Sequence, residues 1–256
     1  MPSFVWSRDP SEAFREPYEY GGQEQFAREA VAVVAHLKER YATVESRFSR
    51  SDTSTQRAVW MLQVDALSAL SDALELLEEK HFRVVSRLFR DVVETLDASY
   101  YFALAGNAAT RNLAKWYENE VISHRVFREF VQKHQGPERA ESLRALYSDL
   151  SKYTHRTFRA LSMSYLLGPN DTAIYDGFRP KEPMYILPHV VSFAYAMLAG
   201  LVKRFVQFAV DTGQLSAKQE TALWAKCLEV ETVPRRFGFG SGRLRRGPEM
   251  PLDEAS

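Results

Sequence analysis

Cysteine is nearly missing from this chain. Cys227 is the only one among 256 residues, which excludes an internal disulfide and fits a reducing compartment. A lone thiol with no evident base beside it reads as a small core residue rather than a nucleophile. No phosphate-binding glycine loop, paired CxxC, HExxH or GxSxG occurs. P-loop nucleotide hydrolysis, zinc proteolysis and α/β-hydrolase chemistry therefore have no support. A charge of one sign is also lacking: 33 Lys and Arg balance 33 Asp and Glu, which argues against a wholly basic nucleic-acid binder. No internal repeat is visible. Long apolar runs are confined to residues 184–202, a stretch without formal charge. It just reaches the ~18-residue threshold for a spanning helix. Pro188, His189, Ser192 and its tyrosine hydroxyls instead suggest a buried central helix of a soluble bundle. Residues 1–22 carry acids and prolines and no basic-then-apolar pattern, which predicts no signal peptide and a cytoplasmic protein.

What is present is helical patterning. The chain is 45% hydrophobic and 26% charged, enough for a packed core. Residues 23–48 place Phe26, Ala30, Val33, Leu37, Tyr41, Val44 and Phe48 at three-four spacing. Capping side chains at 51–54 precede a second helix over 55–80, with Trp60, Val64, Leu67, Leu70, Leu74 and Leu77. A third over 81–104 carries Val85, Phe89, Val92, Val93 and Leu96 and is broken by Gly106-Asn107. The spacing predicts one continuous helix over 111–134, stopped at Gly136-Pro137, and a fifth over 138–167. Turn residues fill 168–187, with β-prone pieces at 173–175 and 184–186 that suggest a small hairpin or ordered loop. An apolar helix from Pro188 to Val210, ended by Gly213, and a short closing helix over 216–228 complete the pattern. The expectation is an all-α helical bundle of about seven helices with a small hairpin insertion and flexible termini. Its parts are an arm at 1–22, one bundle domain at 23–230 and a basic tail at 231–256.

Two helical stretches hold polar groups where a packing face is expected to be apolar. Within 111–134, Glu120 and His124 lie four apart in the stripe of Leu113, Trp116, Tyr117, Val121, Phe127 and Val131. Read as one helix face, a carboxylate beside an imidazole suits general acid–base chemistry; a polar pair fixing helix register is the other reading. Along 143–165 runs a row of Arg144, Ser148, Ser151, His155, Arg159 and Ser162. Lys152, Arg156 and Arg159 around His155 are cations suited to holding a phosphate while the imidazole moves a proton. The same residues also read as a basic outer face with an interfacial histidine. Arg90 and Glu94 fall opposite the apolar stripe of their helix, an exposed pair that matters only if another helix covers it. Glu78-x-x-His81 matches half of a bundle di-metal motif but occurs once, so no metal or cofactor is expected. In the tail, Arg235, Arg236, Arg243, Arg245 and Arg246 stand among Phe237, Phe239 and glycines. This composition suits phosphate contact with base stacking, and equally a solvated tail.

Arg90-x-x-x-Glu94, followed by Leu146-Tyr147-Ser148-Asp149-Leu150-Ser151-Lys152-Tyr153-Thr154-His155, resembles the pattern of bacterial all-helical proteins of the HEPN type. The likeness covers about residues 55–167. It implies a helical bundle, often dimeric, and a metal-independent ribonuclease of toxin–antitoxin or antiphage systems, or else a noncatalytic module that mediates contacts. Active members carry an arginine, four to six residues, then a histidine. Before His155 those positions hold Leu150, Asp149 and Ser148, and Arg144 is too distant, so Arg90 or Arg159 is required to substitute. On that reading His155 is the base for a ribose 2′-hydroxyl, Ser151 or Tyr147 orients it, and Lys152, Arg156 or Arg159 steadies the phosphate. RNA is the expected partner and a homodimer the expected assembly.

Overall fold

The structure is a computed structural model and describes residues 20–45, 48–79, 81–155, 158, 161, 165–167, 173–175 and 188–229. Eight α-helices are described. They are α1 (Tyr20–Glu45), α2 (Thr55–Glu78), α3 (Phe82–Leu104), α4 (Thr110–Tyr117), α5 (His124–Gln135), α6 (Pro137–Thr154), α7 (Pro188–Asp211) and α8 (Ala217–Glu229). A 3-10 turn, Gly106–Ala109, links α3 to α4. The architecture is all-α, as the periodicity predicts.

α3 is the axis of the molecule. Val85, Phe89, Val92, Val93, Leu96 and Tyr100 recur every three or four residues and are buried, and around them α3 packs on α2, α5, α6 and α7. Phe205 and Phe208 of α7 are at most 1% exposed, and Val131 of α5 and Leu150 of α6 are fully buried. Each such side chain stabilises by roughly 1.5–3 kcal/mol through burial alone. α2 starts where Ser54 accepts the backbone N–H of Arg57 at 3.2 Å, satisfying one of the four orphan donors of a helix start. Gly213, at φ 76°, ends α7 by passing its own N–H to Val210 and that of Gln214 to Ala209.

Two expectations fail, each for a local reason. The helix expected over 111–134 is two helices, because Asn119 adopts φ 62°. The N–H of Asn119 bonds the Trp116 carbonyl at 3.1 Å and that of Glu120 bonds Lys115 at 2.9 Å. This pair of bonds is a Schellman stop, with asparagine filling the left-handed position usually held by glycine. Ser123 then opens α5. The helix expected over 138–167 ends at Thr154, where His155 turns extended (φ −76°, ψ 157°). Phe158 and Leu161 are helical again, so the break in the expected helix is the extended backbone at His155. Tyr165–Leu167 instead forms a strand paired antiparallel with Ala173–Tyr175, in the register Tyr165 to Tyr175. The hairpin is thus real, but its first strand comes from the residues assigned to a helix. The second β-prone piece, 184–186, lies outside the described residues, as do residues 1–19 of the arm expected at 1–22 and the whole tail expected at 231–256; residues 20–22 belong to α1 rather than to an arm. Among the described residues no helix is long and apolar enough to cross a membrane.

Candidate functional site

A cluster of polar side chains forms where α3, α5, α6 and α7 meet. Asp97 of α3 and Arg204 of α7 form an ion pair whose side chains are 3% and 4% exposed. On its other oxygen Asp97 takes Nε2 of His124, the first residue of α5, at 3.0 Å. The imidazole Nδ1 is buried and meets no hydrogen-bond partner among the described residues. Tyr147 of α6 stacks on that imidazole, with ring centres 5.1 Å apart and planes at 27°. Its hydroxyl accepts from Arg90 Nη2 at 2.8 Å and donates to Glu94 Oε1 at 3.0 Å. Arg90 Nε closes the triangle on the same carboxylate oxygen at 2.7 Å. The guanidinium of Arg128, one turn along α5 from His124, lies 4.8 Å from the centre of the Tyr147 ring, at cation–π distance. Arg90 lies 5.1 Å from the same centre.

The electrostatics follow from these contacts. Burial acts to raise the Glu94 carboxyl, but hydrogen bonds from Arg90 and Tyr147 outweigh it and hold the group below the ordinary carboxylate value. The hydrogen bond to Glu94 raises Arg90 still further above neutrality. Burial, then the bond to Glu94, pushes the Tyr147 hydroxyl up. Arg90 and Glu94 are therefore not a loose surface pair. α6 covers that face of α3, and both side chains are about two-thirds buried.

Several residues singled out from sequence lie elsewhere. Glu120 and His124 do not share a helix face: the 118–123 loop parts them, and Glu120 is exposed and bonds Lys115 at 2.8 Å. The carboxylate that holds His124 is Asp97. Arg144 is exposed and pairs with Glu141 at 2.8 Å, and exposed Lys152 reaches Asp149 at 3.0 Å. Ser148 is exposed and Ser151 half-buried. His155 is exposed at the C-terminal cap of α6, two turns past Tyr147 and so about 12 Å along the axis. Arg156, Arg159 and Ser162 lie outside the described residues, and so does the side chain of Cys227. His81 lies 3.6 Å from Glu79, and among the described residues no group of three His, Cys, Asp or Glu side chains converges.

Asp97, Arg128 and Arg204 belong to the cluster and were not among the sequence candidates. Two of them carry a readable signal. Asp97 interrupts the apolar stripe of α3 between Val93 and Tyr100, and Arg204 interrupts Leu201, Val202, Phe205 and Val206 of α7. An acid and a base stranded in two apolar faces predict each other, since neither charge is stable there alone. Arg128 and His134 stand on α5 with five residues between them. His134 is exposed, with Nδ1 3.4 Å from the Tyr100 hydroxyl.

Comparison of the chain with protein-family models, with curated proteins and with solved structures gives no match.

Proposed function

We propose that this protein is a HEPN-like helical protein that binds single-stranded RNA and cleaves it without a metal ion, in a bacterial defence or toxin–antitoxin role. The observation that carries the reading is the Arg90–Glu94–Tyr147 triangle. Three residues of the resemblance, up to 57 positions apart in the chain, hydrogen-bond to one another. Arg128 beside Tyr147 supplies a cation to steady an RNA phosphate. Past the end of α6, exposed His155 is the base, and Phe158, 87% exposed, offers a ring face to a nucleotide.

In the reaction His155 takes the proton of a ribose 2′-hydroxyl, whose oxygen bonds to the adjacent phosphorus as the bond to the 5′-oxygen breaks. Water protonates that leaving oxygen. The products are a 2′,3′-cyclic phosphate and a 5′-hydroxyl. The test is incubation of the purified chain, its size in solution determined, with total RNA in EDTA. Wild type cleaves and His155→Ala does not; equal cleavage by both ends the assignment. His134→Ala is the parallel arm, and loss there instead moves the base to α5.

One observation favours a second reading, a noncatalytic oligomerisation or interaction module. Arg90, Glu94 and Tyr147 largely satisfy one another, and Lys152, the described cation nearest His155 in sequence, is paired with Asp149. An inert wild-type chain that forms a defined oligomer favours this module.

A further inference from the structure

A groove of about 540 Å³ opens between α2, α3, α4 and the 118–123 loop, with Glu94 on its wall. It is therefore contiguous with the Tyr147 cluster but lined differently. Resting on the RNA reading above, we propose that it receives one unpaired guanine base of the bound strand.

The walls suit a flat, largely apolar ring. Met61, Trp116 and Ile122 line the groove, and Met61 is 37% exposed. Base stacking on such surfaces tolerates any base and contributes affinity without selecting sequence. The wall is held in place: the Tyr117 hydroxyl donates to the Ser54 carbonyl at 2.8 Å, tying the end of α4 to the start of α2. The volume lies within the usual range for small-molecule sites.

Selection comes from the polar rim. Glu120 lines the groove, is exposed, and among the described residues engages Lys115 through Oε2 at 2.8 Å, with no partner on Oε1. Oε1, together with the second lone pair of Oε2, still presents a carboxylate edge that matches two parallel donors. Guanine alone among the four RNA bases presents them, as N1–H and N2–H on its pairing edge; adenine and cytosine offer one amino group and uracil one imino N–H. Guanine also carries O6 and N7 as acceptors. Arg57, on the same groove, donates through Nη1 to the carbonyls of Arg50 and Asp52, and among the described residues Nε and Nη2 have no partner. Acceptor and donor thus share one groove, as a guanine requires. The second carboxylate, Glu94, is neutralised by Arg90. The phosphate then lies toward Arg128, beside Tyr147.

The experiment uses the full chain and labelled octamers of 2′-O-methyl RNA, which lack the attacking hydroxyl and stay intact, all uridine or with one central guanine, adenine or cytosine, read by fluorescence anisotropy. The guanine octamer should bind about tenfold tighter than the others. Glu120→Gln should reduce that preference to less than threefold while leaving the all-uridine octamer's Kd unchanged. Arg128→Gln should weaken all four alike. RNA binding without base preference, a preference for adenine, or a guanine preference that survives Glu120→Gln overturns the groove assignment and leaves the RNA reading standing. Failure of every octamer to bind overturns both.

Discussion

Replacing Arg204 by methionine breaks the most buried ion pair among the described residues. The Asp97 carboxylate, 3% exposed, faces the Arg204 guanidinium on one oxygen and His124 Nε2 at 3.0 Å on the other. Methionine fills similar volume but leaves a buried carboxylate with the imidazole as its one remaining side-chain partner among the described residues. Breaking one side of a buried pair costs about 3–5 kcal/mol, against a total stability of roughly 5–15 kcal/mol. With a urea slope of about 1–3 kcal/mol per molar, the unfolding midpoint should fall by one molar or more. The double variant Asp97→Leu with Arg204→Met removes both charges and should recover most of the loss. It retains a smaller deficit because His124 loses its acceptor. Equilibrium urea unfolding of wild type, both single variants and the double gives the coupling directly. A single variant within about 1 kcal/mol of wild type, or a double as unstable as the two singles summed, refutes the claim that this pair locks α3 to α7.

Three further outcomes are expected. Tyr147→Phe deletes the hydroxyl that bridges Arg90 and Glu94 and should cost about 1–2 kcal/mol in urea unfolding, whereas an unchanged midpoint would mean the triangle holds nothing together. Glu94 is held below the ordinary carboxylate value, so its contribution is complete above about pH 4.3 and is lost as pH falls through the lower folded value. Acid titration of stability should therefore be steeper in wild type than in Glu94→Gln, and matching slopes would contradict it. Asn119, at φ 62°, should tolerate glycine, while Asn119→Ala should lower stability by about 1–2 kcal/mol; identical melting of the two variants would remove the left-handed stop as the reason α4 ends.

Periodicity made most of the bundle legible, because apolar residues at three-four spacing have one solution when a core must be buried. Phe89, Val92, Val93 and Leu96 are such a case, and all four are buried. Breaks without glycine or proline were harder to see. Asn119 stops α4 although the apolar spacing continues through Val121, which is 99% exposed. The site was legible only in part, because contacts between helices are not written in local spacing. Arg90 and Glu94 look exposed on their own helix, and only Tyr147, arriving from α6, turns them into a partly buried hydrogen-bonded set. For the same reason Glu120 seemed to belong with His124 until the loop between them opened, while the true partner, Asp97, stood 27 residues earlier.

The ends of the RNA products test the account most directly. Wild-type protein incubated with a defined single-stranded RNA in EDTA should leave 2′,3′-cyclic phosphate and 5′-hydroxyl ends, resolved by mass spectrometry, as attack by the ribose hydroxyl requires. Intact RNA, or products ending in a 3′-hydroxyl and a 5′-phosphate, would contradict it.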